Sequence, residues 1–206
     1  IDNIKKIANE LNYSITELSL DYQFRCNGSN EYLSFVDYIL GIDDTFKSDS
    51  INYDFKLIDN PNELFQIIKE KNKNYPSRLL AGYCWNWNKK EMNNTDYHDI
   101  KINEFEISWN LGQNQTFAID DSINEAGCIH SVQGLEFDYV GVIIGMDMKY
   151  RNNHVITDYE SHGSADPSFK GIKKKLKYSE SEARKTADKL IKNAYRVLLT
   201  RGAKGC

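Results

Sequence analysis

Residues 139–145, Tyr139-Val140-Gly141-Val142-Ile143-Ile144-Gly145, constrain the fold more than any other stretch of the chain. A strand points alternate side chains to opposite faces, and here both sets are apolar. Such a segment needs cover on both sides, as a central strand of a parallel sheet has between two layers of helices. It is strand-sized, far short of the roughly 20 apolar residues of a membrane span. No longer apolar run exists, so no membrane partner is expected.

Helical and strand patterns alternate around this segment. Residues 4–11 place Ile4, Ile7, Ala8 and Leu11 on one helical face; residues 30–40 do the same with Leu33, Val36, Ile39 and Leu40, and Gly41 follows as a stop signal. Asn60-Pro61-Asn62-Glu63 is a helix start, with Asn as cap and Pro at the first position, after which Leu64, Ile67 and Ile68 face the core. Ser179-Glu180-Ser181-Glu182 opens the last helix as a capping box, and Ala183, Ala187, Leu190, Ile191, Ala194 and Leu198 follow at helical spacing. Strands are expected at 15–20, 54–58, 78–84 and 116–119. Residues 85–126 otherwise read as an irregular insertion, and 147–178 as a long mobile loop, basic at 170–177. A closing strand is expected beyond the last helix. With no initiator methionine, the chain reads as a fragment truncated at both ends. This alternation predicts one three-layer α/β domain over 1–206 with a mostly parallel sheet.

Charge narrows the function. Lys and Arg number 26 against 30 Asp and Glu, a net charge of −4, which excludes a whole-surface nucleic-acid binder and leaves room for a local patch. The four cysteines, Cys26, Cys84, Cys128 and Cys206, form no C-x-x-C pair and read as reduced thiols of a cytoplasmic protein.

Two segments carry chemistry. Gly127-Cys128-Ile129-His130-Ser131-Val132-Gln133-Gly134-Leu135-Glu136-Phe137-Asp138 gathers polar groups and a glycine before the central strand, at a sheet edge of the kind that binds ligands. Tyr195-Arg196-Val197-Leu198-Leu199-Thr200-Arg201-Gly202 ends the last helix. A lone Arg there is usually a solvated charge; its planar fork also suits anionic phosphate oxygens.

Together, these segments resemble motifs V and VI of superfamily 1 helicases, whose patterns run roughly T-x-H-x-x-[KQ]-G-x-E-[FY]-[DE] and V-A-L-T-R-A. Upstream, Leu20-Asp21-Tyr22-Gln23-Phe24-Arg25 resembles motif IV. The strings Gln23-Phe24-Arg25-Cys26, Ala81-Gly82-Tyr83-Cys84-Trp85-Asn86-Trp87, the stretch from Ile129 to Gly141 and that from Tyr195 to Gly205 are similar to an uncharacterised bacterial family of helicase-like P-loop proteins related to the Schlafen-type NTPase domain. The resemblance implies the second RecA-like domain of an ATP-dependent helicase or translocase. It implies Arg25 and Arg201 at the γ-phosphate, with Arg201 as arginine finger. Gln133, Gly134 and Glu136 would lie at the nucleotide, Glu136 on the ribose. His130, Ser131 and Thr200 would couple that site to bound single-stranded DNA or RNA. ATP and Mg²⁺ would be shared with an N-terminal RecA-like domain that carries the phosphate loop and the Mg²⁺ carboxylate. No G-x-x-x-x-G-K-[ST] occurs in the 206 residues, so this segment alone is expected not to hydrolyse ATP. The rival reading is a nucleotide-sensing or protein-interaction module without unwinding.

Two departures from the motifs stand out: Cys128 where motif V opens with Thr, and Gly202 where motif VI ends in Ala. Trp85 and Trp87 either stack on bases or pack under a loop. Residues 170–192 hold nine basic and three acidic side chains, which form a solvated face or follow a phosphate backbone. Cys128 and His130, two residues apart, make neither a closed metal site nor a defined thiol–base pair, so no metal site is expected.

Overall fold

The structure, a computed structural model, describes residues 2–18, 25–112, 120–164, 166–172 and 177–206. In chain order its main elements are α1 (Asp2–Glu10), α2 (Asn30–Ile39), α3 (Pro61–Asn72), β1 (Ser77–Ala81), β2 (Ile100–Ile102), β3 (Phe105–Trp109), β4 (Glu125–Gly127), β5 (Phe137–Ile143), β6 (Met148–Arg151), β7 (His154–Thr157), α4 (Glu180–Leu199) and β8 (Gly202–Gly205). Six strands form one sheet in the order β2-β3-β4-β1-β5-β8, and β6 with β7 is a separate hairpin. Neighbours in the large sheet are parallel except β2 with β3.

The apolar segment at 139–145 does become an interior strand, flanked by β1 and β8. Its alternation splits between two cores. Val140 joins Leu80, Ile191, Tyr195 and Leu198 under α2 and α4. Ile143 joins Leu79, Ala81, Ile100, Phe105 and Trp109, with Leu64 and Phe65 of α3 packed against them. The result is the three-layer α/β fold of RecA-like domains. At Gly141 a Cβ would stand 2.8 Å from Ile68 Cγ1 and 3.0 Å from Leu64 Cδ1, so its absence lets α3 approach the sheet closely.

The helix starts follow the cap chemistry. Asn60 accepts from Asn62 N–H at 2.9 Å with Pro61 behind it, and Ser179 accepts from Glu182 N–H at 3.4 Å. The Arg196 guanidinium forks onto both carboxylate oxygens of Asp37 and ties α4 to α2.

Several expected elements differ. Residues 13–18 carry no strand, and the rest of the strand expected at 15–20 lies outside the described residues, as do the expected strand at 116–119 and residues 20–24 of the motif IV string. The strand expected at 54–58 is a single parallel bridge, Asp54 with Gly205. The stretch at 85–126, expected to be irregular, supplies β2, β3 and β4, half of the large sheet. β4 pairs with β1, β3 with β4 and β2 with β3, and this succession of pairings creates the short strands, whose own sequences carry little period-2 signal. Within the expected loop at 147–178 the chain forms the β6–β7 hairpin and a short turn, Pro167–Phe169; Lys173, Lys174 and Lys175 lie outside the described residues. The closing strand is present as β8, parallel to β5. Ile4 and Ile7 of α1 and Leu11 just after it are exposed. Among the described residues no helix is long and apolar enough to cross a membrane. All four cysteines are free thiols.

Candidate functional site

The end of α4 is held in place by side chains from distant parts of the chain. Tyr32 Oη donates to the Leu199 carbonyl at 3.0 Å, Tyr53 Oη to that of Gly202 at 2.8 Å, and the Cys26 thiol to that of Thr200 at 3.7 Å. Tyr32 and Tyr53 stack with centroids 3.7 Å apart. Helix C-termini leave carbonyls without helical partners, and the contacts to Leu199 and Thr200 meet that need, while the Tyr53 contact ties down the start of β8. Cys26 sits in a tight turn, Arg25–Gly28, where Cys26, Asn27 and Gly28 all have positive φ. At Gly202 a Cβ would collide with the Gly205 carbonyl oxygen and come 2.8 Å from Tyr53 Oη, which accounts for glycine where the motif has alanine.

Arg201 emerges from this fixed end. Its Nη1 donates to the Leu135 carbonyl at 3.1 Å, while its buried Nε has no hydrogen-bond partner among the described residues. Burial pulls the guanidinium below its usual range, the neighbouring Arg25 charge adds to that, and Glu136 opposes it. The structure therefore brings Arg25, Glu136 and Arg201 into one electrostatic neighbourhood. Gly134 has φ +77° and open space where a Cβ would point; Gln133 and Glu136 are exposed beside it. Thr200 is not part of the group. It is buried, and its hydroxyl donates back to the Arg196 carbonyl at 2.9 Å.

The loop after β4 builds a second locus. Ser131 Oγ donates to the Cys128 carbonyl at 3.1 Å and accepts from Cys128 N–H at 2.8 Å, closing a tight turn. The Cys128 side chain is buried, with its sulfur 3.7 Å from Tyr83 Oη, so the position that opens motif V faces the core. His130 is exposed at the turn, its ring edge-on to Tyr83. With Tyr83, Trp87, Asn110, Gly112, Cys128 and Ser131 it lines a cavity of 370 Å³ at the C-terminal ends of β1, β3 and β4. Two lining residues carry buried polar atoms with no partner among the described residues, Trp87 Nε1 and Asn110 Oδ1. An unpaired buried donor or acceptor costs about 1–3 kcal/mol. Trp85 goes elsewhere. It packs edge-on to Trp109, and its carbonyl lies where a Cβ on Gly163 would be.

Behind His130 lies a buried chain of charges that the motif patterns do not contain. His130 Nε2 is 3.4 Å from Asp166 Oδ1, His162 Nε2 is 2.9 Å from Asp166 Oδ2, and His162 Nδ1 is 2.7 Å from Asp147 Oδ2. Asp147 Oδ1 accepts from Tyr195 Oη at 2.6 Å, and Tyr195 Oη accepts from Gly145 N–H at 2.9 Å. The side chains of Asp147, His162 and Asp166 are 1%, 2% and 4% exposed, so this is an interior ion cluster. Burial works to lower the His162 imidazole, but its hydrogen bonds to Asp147 and Asp166 outweigh it and raise the group above its usual value. Burial works to raise Asp166, but hydrogen bonds from His162 and Ser168 hold it well below the usual carboxylate range. Gly82 makes room for the Tyr195 ring, which occupies the place a Cβ would take. Among the described residues no group of His, Cys, Asp and Glu has an arrangement that could hold a metal ion.

Of the residues singled out in the sequence, Arg25, Glu136 and Arg201 fall together at one edge, and His130, Ser131 and Trp87 around one cavity; Thr200 and Trp85 join neither. Sequence reasoning missed Tyr83, Asn110, Asp147, His162 and Asp166. A legible signal did exist for Asp147, a carboxylate just past the C-terminal end of an interior parallel strand, where such sheets place functional groups.

A family model described as Schlafen group 3, DNA/RNA helicase domain, matches residues 1–206. The uncharacterized protein YPL245W of Saccharomyces cerevisiae is 28% identical over 159 residues, 75% of this chain and 34% of that protein. The chain thus spans about a third of the length of the curated relative it matches, and that relative is a yeast protein, whereas the resemblance read from the motifs was to a bacterial family. No solved structure matches.

Proposed function

The chain belongs to the Schlafen group 3 DNA/RNA helicase domain family, and from that premise we propose that it is the second motor domain of an ATP-dependent helicase or translocase. The observation that carries this reading is the Arg201 guanidinium. It is anchored through a chain segment with three side-chain ties, is half-buried, and lies beside Arg25 and Glu136. A half-buried cation fixed in place by its own chain suits an anionic oxygen brought from outside it.

ATP fits this edge in part. Arg201 and Arg25 would hold its terminal phosphate oxygens and Glu136 a ribose hydroxyl, and open space at Gly134 allows close backbone approach. ATP, when bound, supplies the phosphoryl group to be transferred. The chain's own contribution is a positive charge fixed before the reaction begins, so little reorganisation is needed. Mg²⁺ ligands and the phosphate loop belong to an N-terminal partner domain in this reading. The 370 Å³ cavity beside His130, Ser131 and Trp87 would face a single strand of DNA or RNA.

ATP turnover by the full-length protein, with and without single-stranded DNA and RNA, tests the proposal beside Arg201→Ala. An arginine finger contributes about 10³–10⁵ in rate, so turnover in the variant is expected to fall by that factor. Unchanged turnover in Arg201→Ala removes the finger. The burial of both the Cys128 side chain and the Thr200 hydroxyl favours a second reading, a nucleotide-sensing or interaction module. Turnover that depends on Arg201 but is indifferent to strands selects it.

A further inference from the structure

We propose that Asp166, His162, Asp147 and Tyr195 are positioning residues that join the loop after β4 to α4, and that through them a strand engaged at His130 raises turnover at Arg201. The inference rests on the motor reading and names residues outside the helicase-like motifs that carry its coupling.

The contacts close into a ring. From His130 they run through Asp166, His162 and Asp147 to Tyr195 of α4. From Tyr195 the helix continues for about 6 Å to its end at Leu199. Arg201 follows, and its Nη1 returns to the same loop at the Leu135 carbonyl. The loop is thus clamped to α4 twice, directly at Leu135 and through the buried cluster at His130. The stretch of α4 between the clamps has little freedom. Tyr195, Leu198 and Leu199 are buried, and Tyr32 and Cys26 tie the helix end. A displacement at one clamp is therefore taken up at the other.

The links are unequal, and the weak one faces solvent. The inner contacts, 2.9 Å, 2.7 Å and 2.6 Å long in order from Asp166, join side chains that are all buried. Phe169 stacks on the His162 ring, with centroids 3.9 Å apart, and holds it in plane. The outer contact, from His130 to Asp166, is 3.4 Å long, and the His130 side chain is 39% exposed. Of these four contacts, it is the one for which an acceptor on a strand can compete. Asp166 keeps its place when His130 turns away, because His162 and Ser168 still donate to it. Two arrangements are thus open to one side chain, His130 on Asp166 or His130 on the strand. A ligand that binds only the second shifts the balance between them. The inner contacts, closed to water, pass the difference to α4.

ATP turnover by the full-length protein tests this in the wild type, Asp166→Asn, Tyr195→Phe and the double variant. It is measured without a strand and with a 12-nucleotide oligothymidylate or oligouridylate, whichever stimulates the wild type more, and the affinity for that strand is measured beside it. Each single variant is expected to lower the strand stimulation of kcat about 2- to 30-fold. Turnover without a strand and affinity for the strand should stay at the wild-type level. The double variant should match the more affected single one, because both substitutions break one chain of contacts. Hydrogen exchange at the amides from Tyr195 to Leu199 should respond to the strand in the wild type and in neither single variant. Stimulation and exchange response kept in both variants overturn the inference and leave the motor standing. Stimulation that falls only in step with strand-free turnover or strand affinity also overturns it, since the four residues then serve stability alone. So do losses that multiply in the double variant. Wild-type turnover indifferent to both strands overturns the inference together with the strand half of the proposed function.

Discussion

The end of α4 and the loop after β4 both carry helicase-like motifs, but they are held by different forces. At the end of α4, neutral donors do the work: two tyrosine hydroxyls and a thiol donate to three backbone carbonyls. Behind the loop after β4 the support is ionic, an imidazole between two buried carboxylates. Neutral hydrogen bonds contribute little each and are insensitive to pH. A buried ion cluster is costly to assemble, collapses when one member is removed, and responds to protons. The α4 end should therefore fail gradually under mutation, and the His130 side abruptly.

The largest effect on stability is expected at Asp147. Asp147→Ala leaves Tyr195 Oη and His162 Nδ1 without their acceptor in the interior and should cost about 3–5 kcal/mol, read as the change in urea unfolding free energy. A smaller loss than any substitution at the α4 end would reverse the comparison. Proton dependence sharpens it next. The His162 value is raised in the folded chain, so its contribution is complete below about pH 6.5 and lost as pH rises through the folded value. The Asp166 value is lowered, so its contribution is complete above about pH 4 and lost as pH falls through the folded value. The urea midpoint should thus plateau between these limits and decline on both sides. Asp166→Asn should remove part of the acid limb and shift the alkaline decline to lower pH. An identical profile in the variant would show that the cluster does not govern the response.

Gly202→Ala, which restores the usual motif residue, comes next. Its methyl meets the Gly205 carbonyl and the Tyr53 hydroxyl, and overpacking of this kind costs about 1–3 kcal/mol. A neutral or stabilising result would mean that β8 shifts freely. The smallest effect belongs to Tyr32→Phe. Loss of one hydrogen bond to the Leu199 carbonyl should cost about 1 kcal/mol, with no change in the pH profile.

Part of this was legible without coordinates. Helix starts at Asn60 and Ser179 follow from local cap chemistry, and the interior strand follows from two apolar faces. The pairing of Arg25 with Arg201 could be expected only through the motif resemblance, since 176 positions separate them. The β2, β3 and β4 strands were not legible, because three- to five-residue strands take their conformation from the neighbours they pair with. Asp147, His162 and Asp166 escaped for a related reason. His162 and Asp166 are unremarkable in sequence and Asp147 is marked only by its place past an interior strand; their joint meaning arises when the β5 exit and the turn before Pro167 are folded together around Tyr195 of α4.

Local information, then, determined the layers: where helices begin, which strand must be central, and which segments belong to a helicase-like family, since each is encoded by residues a few positions apart. Tertiary structure decided which polar groups face solvent and which are sealed. It buried Thr200 and Cys128, left Arg201 Nε without a partner among the described residues, and exposed His130 above an ion cluster. The physical reason is that burial and charge pairing are sums over neighbours distant in the chain, and only the packed fold fixes which neighbours those are.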